Sequence, residues 1–481
     1  MPPKATTHHP LWLPIAIAVA IVAGLYIGKR INPGDYVADG DRKLNAILNL
    51  INHDYVDSTN LRDLVEMSIP EILSNLDPHT VYLSAAEVKS SNEEETDSLH
   101  GNHQANSIDA HYMIDKTTGY VHISHFGRQT YKEFQAAMQS LKNDGAKRYM
   151  LDLRGNGGGF MEMAELIANE FLPADMTIVS TRGRYKRDNN DVWSDGKGAY
   201  KDVELAILID EGSASASEIL AGALQDNDRA LVVGSRSFGK GLVQKDFVLP
   251  DSSVIRLTTA RYYTPSGRCI QKDYKHGNDK YADELVQRYR DGEMFSRDSI
   301  KIDKSRSFKT RNGRTVYGGG GIVPDVFVSR DTSWITGYFR EVERAGMLQK
   351  FAKHYCNQNR VALSKMKDYK QFMRMSPSDE TLIGEFAEFA AACGIPPRWY
   401  YINQSHERIV TMLKALIAEE TFGHDAYYPI INRNDKVVLA ALKALNQHKA
   451  SIPITESLER NAIVQNSRSG IMSQINQFFR R

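Results

Sequence analysis

The fold of this chain is decided by residues 205–220, which read LAILIDEGSASASEIL. The first part is an apolar run that predicts a buried strand, and the second part is a small-residue turn that leads into a helix. Ser215 and Glu218 stand three residues apart, so a capping box would explain this serine on structural grounds alone. A hydroxyl at a helix N-terminus also lies beside unpaired N–H groups that could hold a developing oxyanion. Taken alone, the stretch leaves both interpretations open.

Glycine-rich turns follow two neighbouring strand-like runs. Upstream, residues 149–159 read YMLDLRGNGGG, and the glycines would let backbone N–H groups approach a ligand closely. A tight strand-to-helix turn is the plain alternative. Downstream, residues 230–241 read ALVVGSRSFGKG, which fits the G-x-x-x-x-G-K of a phosphate-binding loop. That interpretation is disfavoured because Gly241 stands where Ser or Thr is needed and because the sequence after it reads as strand and turn.

The wider pattern predicts the fold class and the domain organisation. Between residues 108 and 337, strand-like runs alternate with amphipathic helices, which predicts an α/β domain with a mostly parallel sheet. Residues 31–88 carry two helical stripes, residues 89–107 are polar and read as a linker, and residues 338–481 are predicted to form a helical domain suited to packing or assembly.

Composition excludes several classes of function. Lys and Arg number 60 against 59 Asp and Glu, so no overall charge draws the chain toward nucleic acid, and we expect no nucleic-acid partner. The three cysteines, Cys269, Cys356 and Cys393, form no C-x-x-C pair, which disfavours a zinc ribbon or a disulfide framework. The 14 histidines are not spaced as metal ligands usually are, for example as H-x-x-x-H. We therefore predict neither a metal nor another cofactor.

The N-terminus departs from this globular character. Residues 11–27 read LWLPIAIAVAIVAGLYI, an uncharged run at the short end of a membrane span. No convincing cleavage site follows it, so residues 1–30 are predicted to form a retained signal anchor, with a cleaved signal peptide as the alternative. The charges that flank the run do not decide its orientation.

Together, the three turns resemble one family much more specifically than any of them alone. A glycine turn, then G-S-A-S-A-S-E, then F-G-K-G-x-V-Q, in this order, resembles the carboxyl-terminal processing peptidases, also called tail-specific proteases. Further matches are LDPHTVYLS at 76–84, RYYTPSG at 261–267 and GGGGIVPD at 318–325. The resemblance covers about 40–335 and implies a core similar to the crotonase and Clp-protease fold. The helical tail looks more loosely like that of Bacteroidetes-type members.

Catalytic roles are carried over from the matched motifs. The resemblance implies Ser215 as the nucleophile, Lys240 as its general base and Gln244 as the partner of the lysine, with Ser213 and Ser217 as the alternatives to Ser215. A serine hydroxyl needs a base within hydrogen-bond reach, and a lysine can serve only if burial disfavours its charged form. The oxyanion hole would be made by the N–H groups of Ala216 and of either Gly158 or Gly159.

One departure from the family pattern concerns substrate capture. The family normally inserts a PDZ domain after the L-D-P-H-S segment, whereas only about two dozen residues, 84–107, stand there, and they contain no carboxylate-binding G-x-G-φ loop. The lack of this domain puts the capture of substrate tails in question.

The resemblance implies a membrane-anchored serine endopeptidase of the bacterial inner membrane, with its catalytic domain in the periplasm. It would cut proteins or peptides with accessible C-termini through an acyl-enzyme, and its helical domain could support a homo-oligomer. The rival hypothesis is a silent pseudoprotease that acts as a scaffold or adaptor, against which the intact serine, lysine and glutamine set weighs.

Overall fold

Residues 35–90 and 106–447 are described by a computed structural model, in which the chain divides into two units, one ending at Leu73 and one beginning at Ser74. The first unit contains helix α1 (Asp35–Asp54) and most of α2 (Leu61–Ser74), which agrees with the two predicted stripes. No helix within the described residues is long and apolar enough to cross a membrane. The predicted anchor at 11–27 and most of the predicted linker lie outside the described residues.

A mostly parallel sheet forms the centre of the second unit, as predicted. Its strands, in spatial order, are β13, β8, β7, β4, β3 and β2, and only β2 runs antiparallel to its neighbour. Their bounds are β2 (Ile108–Met113), β3 (Thr118–Ile123), β4 (Arg148–Asp152), β7 (Glu204–Ile209), β8 (Leu231–Gly234) and β13 (Val326–Phe327). Because the parallel strands end at one edge, the turns after β4, β7 and β8 meet there.

Three amphipathic helices cover one face of this sheet. They are α3 (Thr130–Asn143), α4 (Met161–Phe171) and α5 (Ala216–Asp226), and their apolar sides share one buried core with the strands. The sequence also suggests a capping box between Thr130 and Glu133, and this detail is wrong. The Glu133 carboxylate instead accepts the N–H groups of Ser107 and Ile108, and it thereby fixes the start of β2.

A second, antiparallel sheet was not predicted. It consists of β1 (Val81–Leu83), β5 (Thr177–Gly183), β6 (Asn190–Trp193), β9 (Leu242–Val248) and β10 (Val254–Tyr263). Strand β10 pairs with β9 on one side and with β1 and then β5 on the other. The LDPHTVYLS segment thereby reaches the strand pair that follows Lys240. A short hairpin of β11 (Ser307–Lys309) and β12 (Thr315–Tyr317) lies apart from both sheets.

The later part of the chain is helical, as predicted. Helix α6 (Asn278–Arg290) precedes it, and a bundle with its own core contains α7 (Gly337–Arg344), α8 (Met347–Gln358), α9 (Arg360–Leu363), α10 (Tyr369–Met375), α11 (Asp379–Ala392), α12 (Trp399–Phe422) and α13 (Tyr427–Ile431). Helix α14 (Lys436–Asn446) differs, because its buried side chains pack on the second face of the parallel sheet. The predicted domain boundaries stay predictions.

Candidate active site

Ser215 stands at the turn between β7 and α5 with an unusual backbone. Its φ and ψ are 56° and −113°. Residues other than glycine rarely adopt this backbone conformation, and it stores strain. The turn after β4 packs directly on it, since a Cβ added to Gly158 would lie 2.7 Å from the Ser215 Cβ. The close approach explains why a glycine is needed at 158.

Glu218 joins the Ser215 turn to the Lys240 loop. Its Oε2 accepts the N–H groups of Ser215 and Lys240, both at 2.9 Å, and its Oε1 accepts the Gly239 N–H at 2.7 Å and the Ser237 hydroxyl at 2.5 Å. The side chain is fully buried. Burial raises the pKa of Glu218 to about 7, although the four donors act in the opposite direction. One carboxylate oxygen therefore fixes the backbones of Ser215 and Lys240 relative to each other.

Tyr262, on β10, makes a second bridge between the same two residues. Its hydroxyl lies 2.6 Å from the Lys240 carbonyl oxygen and 3.2 Å from the Ser215 carbonyl oxygen. The ring is almost fully buried in the main core. The one hydroxyl proton is donated chiefly to the nearer Lys240 carbonyl, and the Ser215 carbonyl lies beside the same hydroxyl, so Tyr262 supplements the link that Glu218 makes.

The environment of Lys240 favours its neutral form. Burial lowers the pKa of the Lys240 ammonium below its ordinary value of 10.5, and Arg256 lowers it further, while the carboxylates of Glu218 and Asp77 oppose these effects. Within the described residues, Lys240 forms no ion pair. A lysine that is partly desolvated and not neutralised by a carboxylate contact is suited to accept a proton.

Gln244 connects the strand after Lys240 to the LDPHT segment. Its amide nitrogen donates to the Thr258 hydroxyl at 3.4 Å across the β9–β10 pair, and this hydroxyl donates to Asp77 at 3.0 Å. Asp77 also accepts two bonds from Thr80, one from its N–H and one from its hydroxyl. The segment therefore orients the Gln244 amide.

His79 lies near Lys240 but is poorly suited to act as a base. Burial lowers the pKa of His79 to about 4, with a further contribution from the charge of Lys240. Its Nε2 is 2.8 Å from the Tyr281 hydroxyl. Near neutral pH the ring is therefore uncharged and already engaged.

The alternative serines are both occupied by structural bonds. The Ser213 hydroxyl donates to the Leu153 carbonyl oxygen at 2.8 Å, and the Ser217 hydroxyl donates to the Asn156 carbonyl oxygen at 2.9 Å. Both side chains are 0% exposed, whereas Ser215 is half-buried. Of the three, Ser215 is the serine that a substrate could reach.

The glycines predicted for an oxyanion hole differ in how their N–H groups are used. The Gly158 N–H donates to the Asn156 side-chain oxygen at 2.8 Å, whereas the Gly159 N–H makes no hydrogen bond within the described residues. A Cβ added to Gly158 would lie 3.0 Å from the Ala216 nitrogen, which brings the glycine turn beside the first N–H of α5.

Comparisons with known proteins agree with the motifs. Residues 117–278 match peptidase family S41, and residues 338–423 match a family of unknown function (DUF8443). The carboxy-terminal-processing protease of Bartonella bacilliformis is 44% identical over 166 residues, or 33% of this chain and 38% of that protein. The carboxyl-terminal-processing protease of Synechocystis sp. is 43% identical over 157 residues, or 33% of this chain and 36% of that protein.

Residues 117–278 of this chain are therefore similar to peptidase family S41, and both relatives are carboxyl-terminal-processing proteases. The chain spans well under half the length of these relatives. Among solved structures, a photosystem II D1 C-terminal processing protease is 28% identical, with 44% of this chain and 42% of that chain covered and a TM-score of 0.32.

Three groups in the candidate site were missed by sequence reasoning. Glu218 was recognised only as a cap for Ser215, whereas it also binds the Lys240 loop. Tyr262 and Asp77 lie in motifs that were used only for the resemblance. Their positions in RYYTPSG and LDPHT were the available signal. No cluster of three or more acidic, histidine or cysteine side chains that could hold a metal occurs in the part of the chain that the structure describes.

Proposed function

We propose that the chain is a serine endopeptidase that uses Ser215 as nucleophile and Lys240 as general base. The observation that carries the proposal is the shared Glu218 oxygen, 2.9 Å from the N–H groups of both residues. The lowered pKa of Lys240 supports the same assignment, because only a neutral amine can accept the serine proton.

In the proposed acylation, the Ser215 Oγ attacks the scissile carbonyl carbon while its proton passes to the Lys240 Nζ. The resulting ammonium gives this proton to the departing amine as the peptide bond breaks and leaves an ester on Ser215. Water then attacks the ester, with Lys240 accepting a proton from the water and returning it to Ser215 Oγ. Lys240 accepts and returns one proton in each step, so the proposed cycle needs one base and no metal.

Gln244 is proposed to orient Lys240. Because its amide nitrogen is engaged by Thr258, its amide oxygen is the atom left to accept a hydrogen bond from the lysine. The oxyanion hole is proposed to consist of the N–H groups of Ala216 and Gly159. Gly159 is preferred to Gly158, whose N–H is taken by Asn156.

The substrates are proposed to be proteins or peptides with accessible C-termini, since the relatives carry the name of C-terminal processing proteases. A periplasmic catalytic domain, anchored by residues 11–27, and a homo-oligomer formed through the helical region remain part of this proposal and rest on the sequence alone.

Labelling with a reagent that acylates active-site serines tests the proposal. We expect a single modified residue, Ser215, and no labelling or peptide hydrolysis after Ser215→Ala or Lys240→Ala. Ser213→Ala and Ser217→Ala serve as matched controls, which should lower thermal stability but keep most of the turnover, because each removes a buried hydrogen bond. Labelling of Ser213 or Ser217 would show that the labelled serine, and not Ser215, is the nucleophile. A folded wild-type protein with neither labelling nor hydrolysis would support the scaffold hypothesis instead.

A further inference from the structure

The last described helix, α14, packs on β7 and β8 of the parallel sheet, and hydrogen bonds join its two ends to residues at the two ends of β4. At its C-terminal end, the Asn446 side-chain oxygen accepts a bond from Arg148 at 2.6 Å, at the start of β4. At its N-terminal end, Asp435 binds Arg154 at 2.9 Å, just after β4 ends. Between these points the buried side chains of α14 pack on the parallel sheet.

Asp435 uses its two oxygens for two separate purposes. Its Oδ1 accepts the N–H groups of Val437 and Val438, both at 2.9 Å, and so caps α14. Its Oδ2 accepts the bond from Arg154. The hydrogen bond between Asp435 and Arg154 can therefore be removed while the cap of α14 is kept.

Arg154 begins the turn that supports Ser215. Its guanidinium also forms bonds of 2.6–3.0 Å with the buried carboxylate of Asp152. The next residue, Gly155, donates its N–H to Asp210 at 2.8 Å, and farther along the turn Gly158 packs on Ser215. A short, continuous stretch of backbone thus leads from the Asp435 contact to the serine.

We propose that Asp435 is a positioning residue for the active site and that α14 is part of the catalytic unit. The side chain acts through Arg154, because it accepts the Nη1 bond while Asp152 accepts the Nε and Nη2 bonds, and it so fixes the turn at 154–159 against Ser215. This inference rests on the proposed function for its effect on turnover. Residues 435–446 lie outside both matched segments, 117–278 and 338–423.

Asp435→Asn separates this role from helix capping. The amide oxygen can still cap α14, but an amide nitrogen replaces the acceptor that faces Arg154. Asp435→Ser can also cap α14 through its one hydroxyl oxygen, but it lacks the second oxygen that binds Arg154. Asn446→Ala is the matched control, because it breaks the other attachment of the same helix to β4, away from the turn.

We expect both Asp435 variants to lower kcat and the rate of serine acylation about tenfold with KM unchanged, because misplaced catalytic groups cost rate. Asn446→Ala should change kcat less than twofold. Amide hydrogen exchange in residues 153–160 should be faster in Asp435→Asn and unchanged in Asn446→Ala. Equal kcat and equal exchange in the Asp435 and Asn446 variants would overturn the inference. Absence of hydrolysis and labelling in the wild type would instead refute the proposed function, and the exchange comparison would still decide the role of Asp435.

Discussion

At the scale of single residues, Glu218 shows how a costly buried charge can organise a site. A carboxylate out of contact with water is stable only if hydrogen bonds replace its hydration, and here four donors do so. The Ser237 hydroxyl donates to Glu218 and also accepts the Ile322 N–H. The four donors favour the ionised carboxylate, but burial outweighs them and raises the pKa of Glu218 to about 7.

Glu218→Gln should lower kcat about 100-fold, the size of effect that a small misplacement of catalytic groups produces. An amide nitrogen cannot accept the N–H groups that one carboxylate oxygen accepts, so the contact with Ser215 and Lys240 or that with Gly239 and Ser237 is lost. Glu133→Gln is the control, since Glu133 also binds two backbone N–H groups but lies away from the site. Equal kcat values for the two variants, measured on a peptide substrate, would contradict this role.

The dependence of activity on pH should follow Lys240 and Glu218. In the proposed mechanism, turnover requires a neutral Lys240 and an ionised Glu218, so kcat/KM should rise with pH through about 7 and continue to rise until the lysine, whose pKa lies below 10.5, is neutral. His79, with a pKa of about 4, is neutral throughout this range. His79→Gln should therefore leave the ascending limb in place, and a limb that vanished with His79 would mean that the histidine is the base.

Stability should change with pH in the opposite direction at Glu218. Its pKa is higher in the folded chain, about 7, than the ordinary 4.5, so the folded state binds the proton more tightly. This contribution to the free energy of unfolding is fully present below about pH 4.5 and is lost as the pH rises through about 7. The loss should be absent in Glu218→Gln, as followed by urea unfolding across this range.

At the scale of elements, the turn between β7 and α5 combines strain with function. Ser215 has a φ of 56°, which glycine adopts without cost and which costs other residues about 1–3 kcal/mol. Ser215→Gly and Ser215→Ala should both be inactive, but the glycine variant should be more stable than the alanine variant by about 1 kcal/mol. Chemical unfolding of the two measures this difference, and an equally stable alanine variant would show that the turn is not strained.

Local patterns predicted the elements that carry the site but not all of their contacts. The apolar run before GSASASE predicts β7, and the small-residue turn after it predicts α5. The sequence after Lys240 reads as strand, which disfavours a phosphate loop and agrees with β9. The antiparallel sheet escaped prediction because β1 pairs with a strand far along the chain, and periodicity carries no information on such partners. The capping box predicted at Glu133 is wrong for the same reason, because its carboxylate accepts a hydrogen bond from the distant start of β2 instead.

At the scale of the whole molecule, the proposed function depends on how the tail of a substrate is bound. Only about two dozen residues separate β1 from β2, where we expect a PDZ domain to be missing. On this expectation, peptides with free and with amidated C-termini should be cleaved with similar kcat/KM, because no PDZ domain would supply binding energy from the tail carboxylate. A large preference for the free carboxylate would reveal another capture site on this chain.

The cover that α14 provides also bears on how the molecule is made. The parallel sheet is complete in sequence with β13, yet its second face, including Tyr120, Met150 and Leu208, is covered by side chains of α14 together with Tyr428. A chain growing on the ribosome therefore carries an uncovered apolar sheet face while the whole helical bundle is being synthesised. Such a surface invites aggregation and chaperone binding until the final packing step. A premature stop shortly before α14 would therefore expose the centre of the fold rather than merely shorten its tail.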